Sequence, residues 1–109
     1  MNVYDTANKL AAEIKDSKEY AEFKKSKNEV LSNENKKAKI EEFEQLRYET
    51  QLQQMQGMAS EEKQNQLQAK YSELIADEEM RKYFDAEMKF NVLIADVNKI
   101  IAEAVKDVL

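Results

Sequence analysis

From Met80 to Val108 the apolar residues recur at spacings that alternate between three and four: Met80, Tyr83, Phe90, Ile94, Val97, Ile101, Ala104 and Val108, with Glu87 in the same register. An α-helix turns once every 3.6 residues, so this spacing lays all nine side chains along one stripe. Leu93 and Ile100 widen the stripe on one side, and Phe84 and Val105 widen it on the other. A stripe so long and broad has to bury against other helices, and a second copy of the chain is the natural partner. The expected interface residues are Phe90, Leu93, Ile94, Val97, Ile100, Ile101 and Ala104.

The rest of the chain is written in the same idiom. Charged residues make up 36% of its 109 residues, with one Gly and no Pro, a composition that leaves little besides helix. The length suits a single domain spanning residues 1–109. Disorder is excluded because the apolar residues are periodic rather than scarce. The expected fold is all-α: an antiparallel bundle of four to five helices with a long C-terminal helix that dimerises.

Helix starts and stops can be placed along the chain. Val3, Ala7, Leu10 and Ile14 form the stripe of a first helix running to about Asp16. Ser17 caps the second, which buries Tyr20, Phe23, Val30 and Leu31, with Lys27 interrupting at the edge of the core. Asn33 starts the third, where Ile40, Phe43, Leu46, Thr50 and Gln53 line one side up to Met55. Gly57, the only glycine, offers left-handed backbone angles and reads as a C-cap or hairpin tip. The alternative is one uninterrupted helix in which Gly57 costs about 1 kcal/mol relative to Ala. Ser60, followed by Glu61 and Glu62, opens the fourth helix, which carries Leu67, Tyr71, Leu74 and Ile75; Asp77 caps the fifth. Residues 29–34 and 73–78 echo each other at an offset of 44, and Lys37/Arg81 and Ile40/Phe84 continue the echo. Two helix–cap–helix junctions need the same short polar cap with an acid behind it, so the echo does not by itself establish duplication.

The residue types exclude much chemistry. Without Cys there are no disulfides, zinc–thiolate sites or iron–sulfur clusters, and without His the commonest general base and metal ligand is missing. One Gly cannot build a phosphate loop. Glu41, Glu42 and Glu44, or Glu78 and Glu79, could be drawn as acid/base or metal pairs, but solvated helix faces produce such pairs constantly. Tyr48, Tyr71 and Tyr83 read as amphipathic core residues with hydroxyls reaching water. Glu87, on the main stripe, either reaches solvent or is buried and needs a partner such as Arg47 or a lysine across a helix interface. No catalytic, metal or cofactor-binding residue is assigned, and the chain is expected not to be an enzyme.

Two surfaces remain. Seven Gln lie between Gln51 and Gln68, and Gln53, Gln54, Gln56 and Gly57 form a candidate partner surface at the hairpin tip. Lys24, Lys25 and Lys27 with Lys36, Lys37 and Lys39 could form a modest basic patch, since residues 15–39 carry a local balance of +3 within a net charge of −5. Arginine, the better bidentate phosphate ligand, occurs only at Arg47 and Arg81, and no aromatics interleave the lysines, so the case for nucleic acid is weak. The longest unbroken apolar run, Val92–Leu93–Ile94–Ala95, falls far short of the ~20 residues of a membrane helix. Lys9 precedes any apolar run, so no secretory signal is expected and the protein should be soluble and cytoplasmic.

With these elements placed, the chain resembles a known family. Asn2-Val3-Tyr4-Asp5-Thr6-Ala7 followed by Leu10 is similar to the opening of YheA-like proteins, a branch of the YlbF/YmcA group of small helical bacterial proteins. Phe43-x-x-Leu46, then Gln51 and Gln53-Gln54-Met55-Gln56-Gly57, looks like that branch's central segment. Glu87-Met88 through Leu93, then Asn98-Lys99-Ile100-Ile101, resembles its terminal helix. The resemblance implies an oligomeric cytoplasmic protein of Gram-positive type with no assigned biochemical activity. Relatives in the wider group act non-enzymatically, in complexes influencing competence, sporulation, biofilm formation and RNA maturation. Some hold iron–sulfur clusters through Cys, a property that a chain without Cys does not inherit. The expected function is a non-enzymatic, oligomeric protein–protein interaction module, regulatory in role. The alternative is an RNA-associated accessory protein using the six lysines.

Overall fold

Five short polar side chains mark where the helices begin. The computed structural model describes residues 2–109. In it Asn2 accepts a hydrogen bond from the Tyr4 amide (2.9 Å), Ser17 from Tyr20 (3.1 Å), Asn33 from Lys36 (3.1 Å), Ser60 from Lys63 (3.3 Å) and Asp77 from Met80 (3.1 Å). Each cap satisfies an amide that has no partner inside its own helix. The helices that follow are α1 (Val3–Lys15), α2 (Lys18–Leu31), α3 (Glu34–Met55), α4 (Glu61–Leu74) and α5 (Glu78–Val105). No strand occurs among the described residues. At 28 residues α5 runs for about 42 Å. The all-helical reading and the long C-terminal helix are therefore correct, and four of the five caps are those the sequence indicated.

Gly57 ends α3. Its φ is +73°, in the left-handed region, so the hairpin reading holds and the uninterrupted helix does not. The Gly57 amide donates to Gln54 O (3.1 Å) and the Met58 amide to Gln53 O (2.8 Å). This 5→2 and 6→1 pair is a Schellman ending, which occupies carbonyls the last turn would otherwise leave open.

The chain forms two compact units. One comprises residues 28–82: the end of α2, all of α3 and α4, and the start of α5. Within it α3 and α4 run antiparallel, as the ladder of contacts shows: Glu42 pairs with Lys70 (2.8 Å), Glu49 with Lys63 (3.2 Å), and the Phe43 and Tyr71 rings lie 6.0 Å apart. Val30, Ile40, Phe43, Thr50, Leu74 and Met80 are buried there. Thr50 lies two turns beyond Phe43 on the same line, and its hydroxyl donates to Leu46 O (2.7 Å), which makes its burial tolerable. Tyr48 corrects the expectation of a core residue. It is exposed, standing about 140° round α3 from Phe43.

The other unit comprises, of the described residues, 2–27 and 83–109. It is held by an aromatic cluster in which α2 and α5 run antiparallel: Tyr20 meets Phe90 edge-on (5.9 Å), and Phe23 lies 5.7 Å from Tyr83 and 5.9 Å from Phe90. Tyr83, Phe84 and Ala86 are buried. Lys27 is exposed, with its ammonium over the Phe23 ring at 5.8 Å, which is how a lysine sits on an otherwise apolar line. α1 contributes no buried residue; Leu10 and Ile14 are half-buried and Val3 and Tyr4 exposed.

Candidate interaction surface

The stripe on α5 changes character along its length. Met80, Tyr83, Phe84 and Ala86 are buried, and Glu87, Phe90, Leu93, Ile94 and Val97 are half-buried. Beyond Val97 cover is lost: Ile100 is 69% exposed, Ile101 52% and Val108 84%. Of the seven residues expected at an interface, Phe90 is engaged by Tyr20 and Phe23. Leu93, Ile94 and Val97 are part-covered, while Ile100, Ile101 and Ala104 stand open. Periodicity had missed Met88 and Val92, one turn apart, which are exposed beside a shallow groove of about 390 Å³ completed by Glu19, Lys89, Leu93 and Asp96. Lys89 is held above the ordinary lysine pKa by its hydrogen bond to Asp85, 3.0 Å away.

The Gln-rich tip divides differently from the sequence expectation. Gln54, Gln56 and Gly57 are exposed, whereas Gln53 is half-buried and its Oε1 accepts no hydrogen bond. Met55 and Met58 flank the turn and are the exposed apolar groups there. Between α3 and α4 an open trough of about 560 Å³ has Leu46 and Ala69 on its floor and Glu42, Glu49, Lys70 and Glu73 on its rim. Glu42, Glu49 and Lys70 are occupied. Glu49 titrates below its ordinary range because Gln45 and then Lys63 donate to it, and the bond to Glu42 raises Lys70.

The six lysines fall into both units, Lys24, Lys25 and Lys27 in one and Lys36, Lys37 and Lys39 in the other. Lys36 is committed: Glu79 lies 3.3 Å and Asp77 3.5 Å from its ammonium. Desolvation pulls that ammonium down, but the Glu79 hydrogen bond and the Asp77 charge outweigh it, leaving its pKa above the usual value. Four of the five carboxylates drawn as candidate pairs are similarly occupied: Glu42 with Lys70, Glu44 with Arg47 (2.6 Å), Glu78 with Lys82 (3.6 Å) and Glu79 with Lys36. Among the described residues no group of three Asp, Glu, His or Cys is placed to hold a metal ion, and no helix is long and apolar enough to cross a membrane.

Comparison with known proteins adds five findings. Residues 3–106 match the Com_YlbF family model, described as control of competence regulator ComK, YlbF/YmcA. The chain is 38% identical to a UPF0342 protein of Desulfitobacterium hafniense, across 100% of this chain and 89% of that one. It is 33% identical to a UPF0342 protein of Halothermothrix orenii, across 93% and 86% respectively. In fold it is similar to a DUF964 protein of unknown function from Bacillus stearothermophilus (TM-score 0.83, 18% identity, 96% of this chain and 93% of that). It is also similar in fold to yheA from Bacillus subtilis (TM-score 0.73, 23% identity, 100% of both chains).

Proposed function

The chain belongs to the YlbF/YmcA family of helical bacterial proteins, and on that premise we propose that it is a non-catalytic module that binds a second copy of itself and, through the assembled form, a protein partner in a regulatory role. The observation that carries this reading is a set of uncovered apolar side chains at the end of the chain: Ile100 and Ile101 on α5 are 69% and 52% exposed, and Val108 just beyond the helix is 84% exposed. Val3 and Tyr4 of α1 stand open as well. Apolar patches of this kind mark surfaces that meet protein.

The family description, control of the competence regulator ComK, supports a regulatory setting with protein partners. A cytoplasmic location suits a chain without cysteine. The absence of His and Cys supports a non-enzymatic role, as does the engagement of Glu42, Glu44, Glu78 and Glu79 by cations. Light scattering tests the proposal. Wild type is expected to be dimeric or larger at micromolar concentration, and Ile101→Asp to be a monomer of unchanged helicity, because Ile101 is not needed inside the protomer. A wild-type monomer throughout that range overturns it.

A further inference from the structure

Resting on the proposed function only for the existence of a protein partner, we infer that the groove between α2 and α5 at Met88 and Val92 receives an amphipathic helix of that partner, apolar on the side that faces the groove and carrying Lys or Arg along its edges. The groove lies away from the face assigned to self-association: Val92 stands about 180° and Met88 about 140° round α5 from Ile101. Met88 and Val92 sit one turn apart, 57% and 54% exposed, and half-buried Leu93 lines the cavity of about 390 Å³ with them. Neither belongs to the aromatic cluster that holds α2 to α5, so packing within the protomer gives no reason for apolar side chains there. Apolar residues on successive turns beside a third form a seat for helix-in-groove docking, and methionine adapts its shape to what it meets.

Charge selects the occupant. Of the three charged residues that line the groove, Lys89 is committed to Asp85 at 3.0 Å. Glu19, in the first turn of α2, and Asp96 have no ion pair or side-chain hydrogen bond among the described residues. Lys18, the neighbour of Glu19 in sequence, is turned to Glu22 (3.8 Å). Glu19 is half-buried, so its carboxylate has lost part of its water with no cation beside it. Cationic edges on the incoming helix would answer both carboxylates, whereas an acidic helix or a phosphate backbone would meet repulsion at each. The same rim disfavours a second copy of the chain, whose net charge is −5.

Fluorescence anisotropy with two synthetic peptides tests this on the full chain at physiological salt. Each peptide is a helix of about 15 residues, the length at which an isolated helix begins to hold, with Leu on one face. One carries Lys on both edges and the other Glu. The Lys peptide is expected to bind about tenfold more tightly than the Glu peptide or better. Val92→Asn should weaken that binding by about the same factor with helicity unchanged, since Val92 is exposed. Glu19→Gln with Asp96→Lys should reverse the preference. Glu29→Gln with Glu41→Lys, the same change of charge placed in the other unit, should preserve it. A preference that survives the groove exchange, or that the remote exchange abolishes, overturns the assignment, as does wild-type binding by Val92→Asn. Light scattering on the same samples separates the occupants. A lower oligomeric state for Val92→Asn would mean that a second copy fills the groove, and the assignment fails. A monomeric wild type that still prefers the Lys peptide removes the self-association and leaves the groove standing.

Discussion

Gly57 carries the sharpest consequence at the scale of single residues. A Cβ built there meets nothing within 4 Å, so space is not the reason for glycine; the +73° φ is. An L-residue in that region costs about 1–2 kcal/mol, and Gly57→Ala is expected to destabilise by that amount, lowering Tm by several degrees in a thermal melt. Stabilisation would mean that the turn has relaxed into helix. Asp77 offers a pH prediction. Its carboxyl is held below the usual range first by the Met80 amide and then by Lys36, against desolvation. A depressed carboxyl favours the fold in its ionised form, so its contribution is complete above the unfolded pKa and is lost as pH falls through the folded one. Asp77→Ser keeps a cap acceptor without the charge. The stability advantage of wild type over Asp77→Ser should be full at pH 7 and disappear on acidification below about pH 4, as read by denaturant unfolding at several pH values. Ser17, Asn33, Ser60, Asp77 and Gly57 were legible in the sequence because a cap is a local event, settled within four residues. Tyr48 was not, because an aromatic residue declares amphipathic character without declaring which side of α3 is covered.

Among the elements, the two junctions at an offset of 44 carry matching structure. Val30 and Leu74 are both buried, Leu31 and Ile75 both half-buried, and Ile40 and Phe84 both buried. Asn33 and Asp77 each accept an amide three residues on, at 3.1 Å. The faint echo in the sequence thus corresponds to one packing solution used twice. It predicts that Val30→Ala and Leu74→Ala are comparably damaging, each costing roughly 2–4 kcal/mol, since Val30 is 0% exposed and Leu74 nearly as enclosed. Denaturant midpoints would measure both, and a Val30→Ala protein as stable as wild type would contradict the shared role. The stripe on α5 shows where legibility ends. Spacing placed the apolar stripe on one helix from Met80 to Ala104, with Val108 falling beyond the helix end at Val105, but periodicity is the same whether a residue is covered by its own chain or left open. Only the placement of Tyr20 and Phe23 separates Phe90, which they cover, from Ile101.

At the scale of the whole molecule, the self-association proposed above would tie stability to protein concentration. Association that favours the folded state raises Tm with protein concentration, an effect absent from a monomer. Calorimetry over a hundredfold concentration range should show Tm rising for wild type and constant for Ile101→Asp; a wild-type Tm without that dependence would contradict assembly. The hairpin tip has a consequence of another kind. The Schellman ending closes α3, Ser60 opens α4 independently, and the space around Gly57 is empty. Because neither helix depends on the other's last residue for its cap, extra residues placed after Met58 would disturb neither end. Loop entropy would charge only about 0.6 kcal/mol for each doubling of the connection. The tip is therefore where this chain can grow longer over evolutionary time, or accept an inserted label or peptide, without its helices having to change.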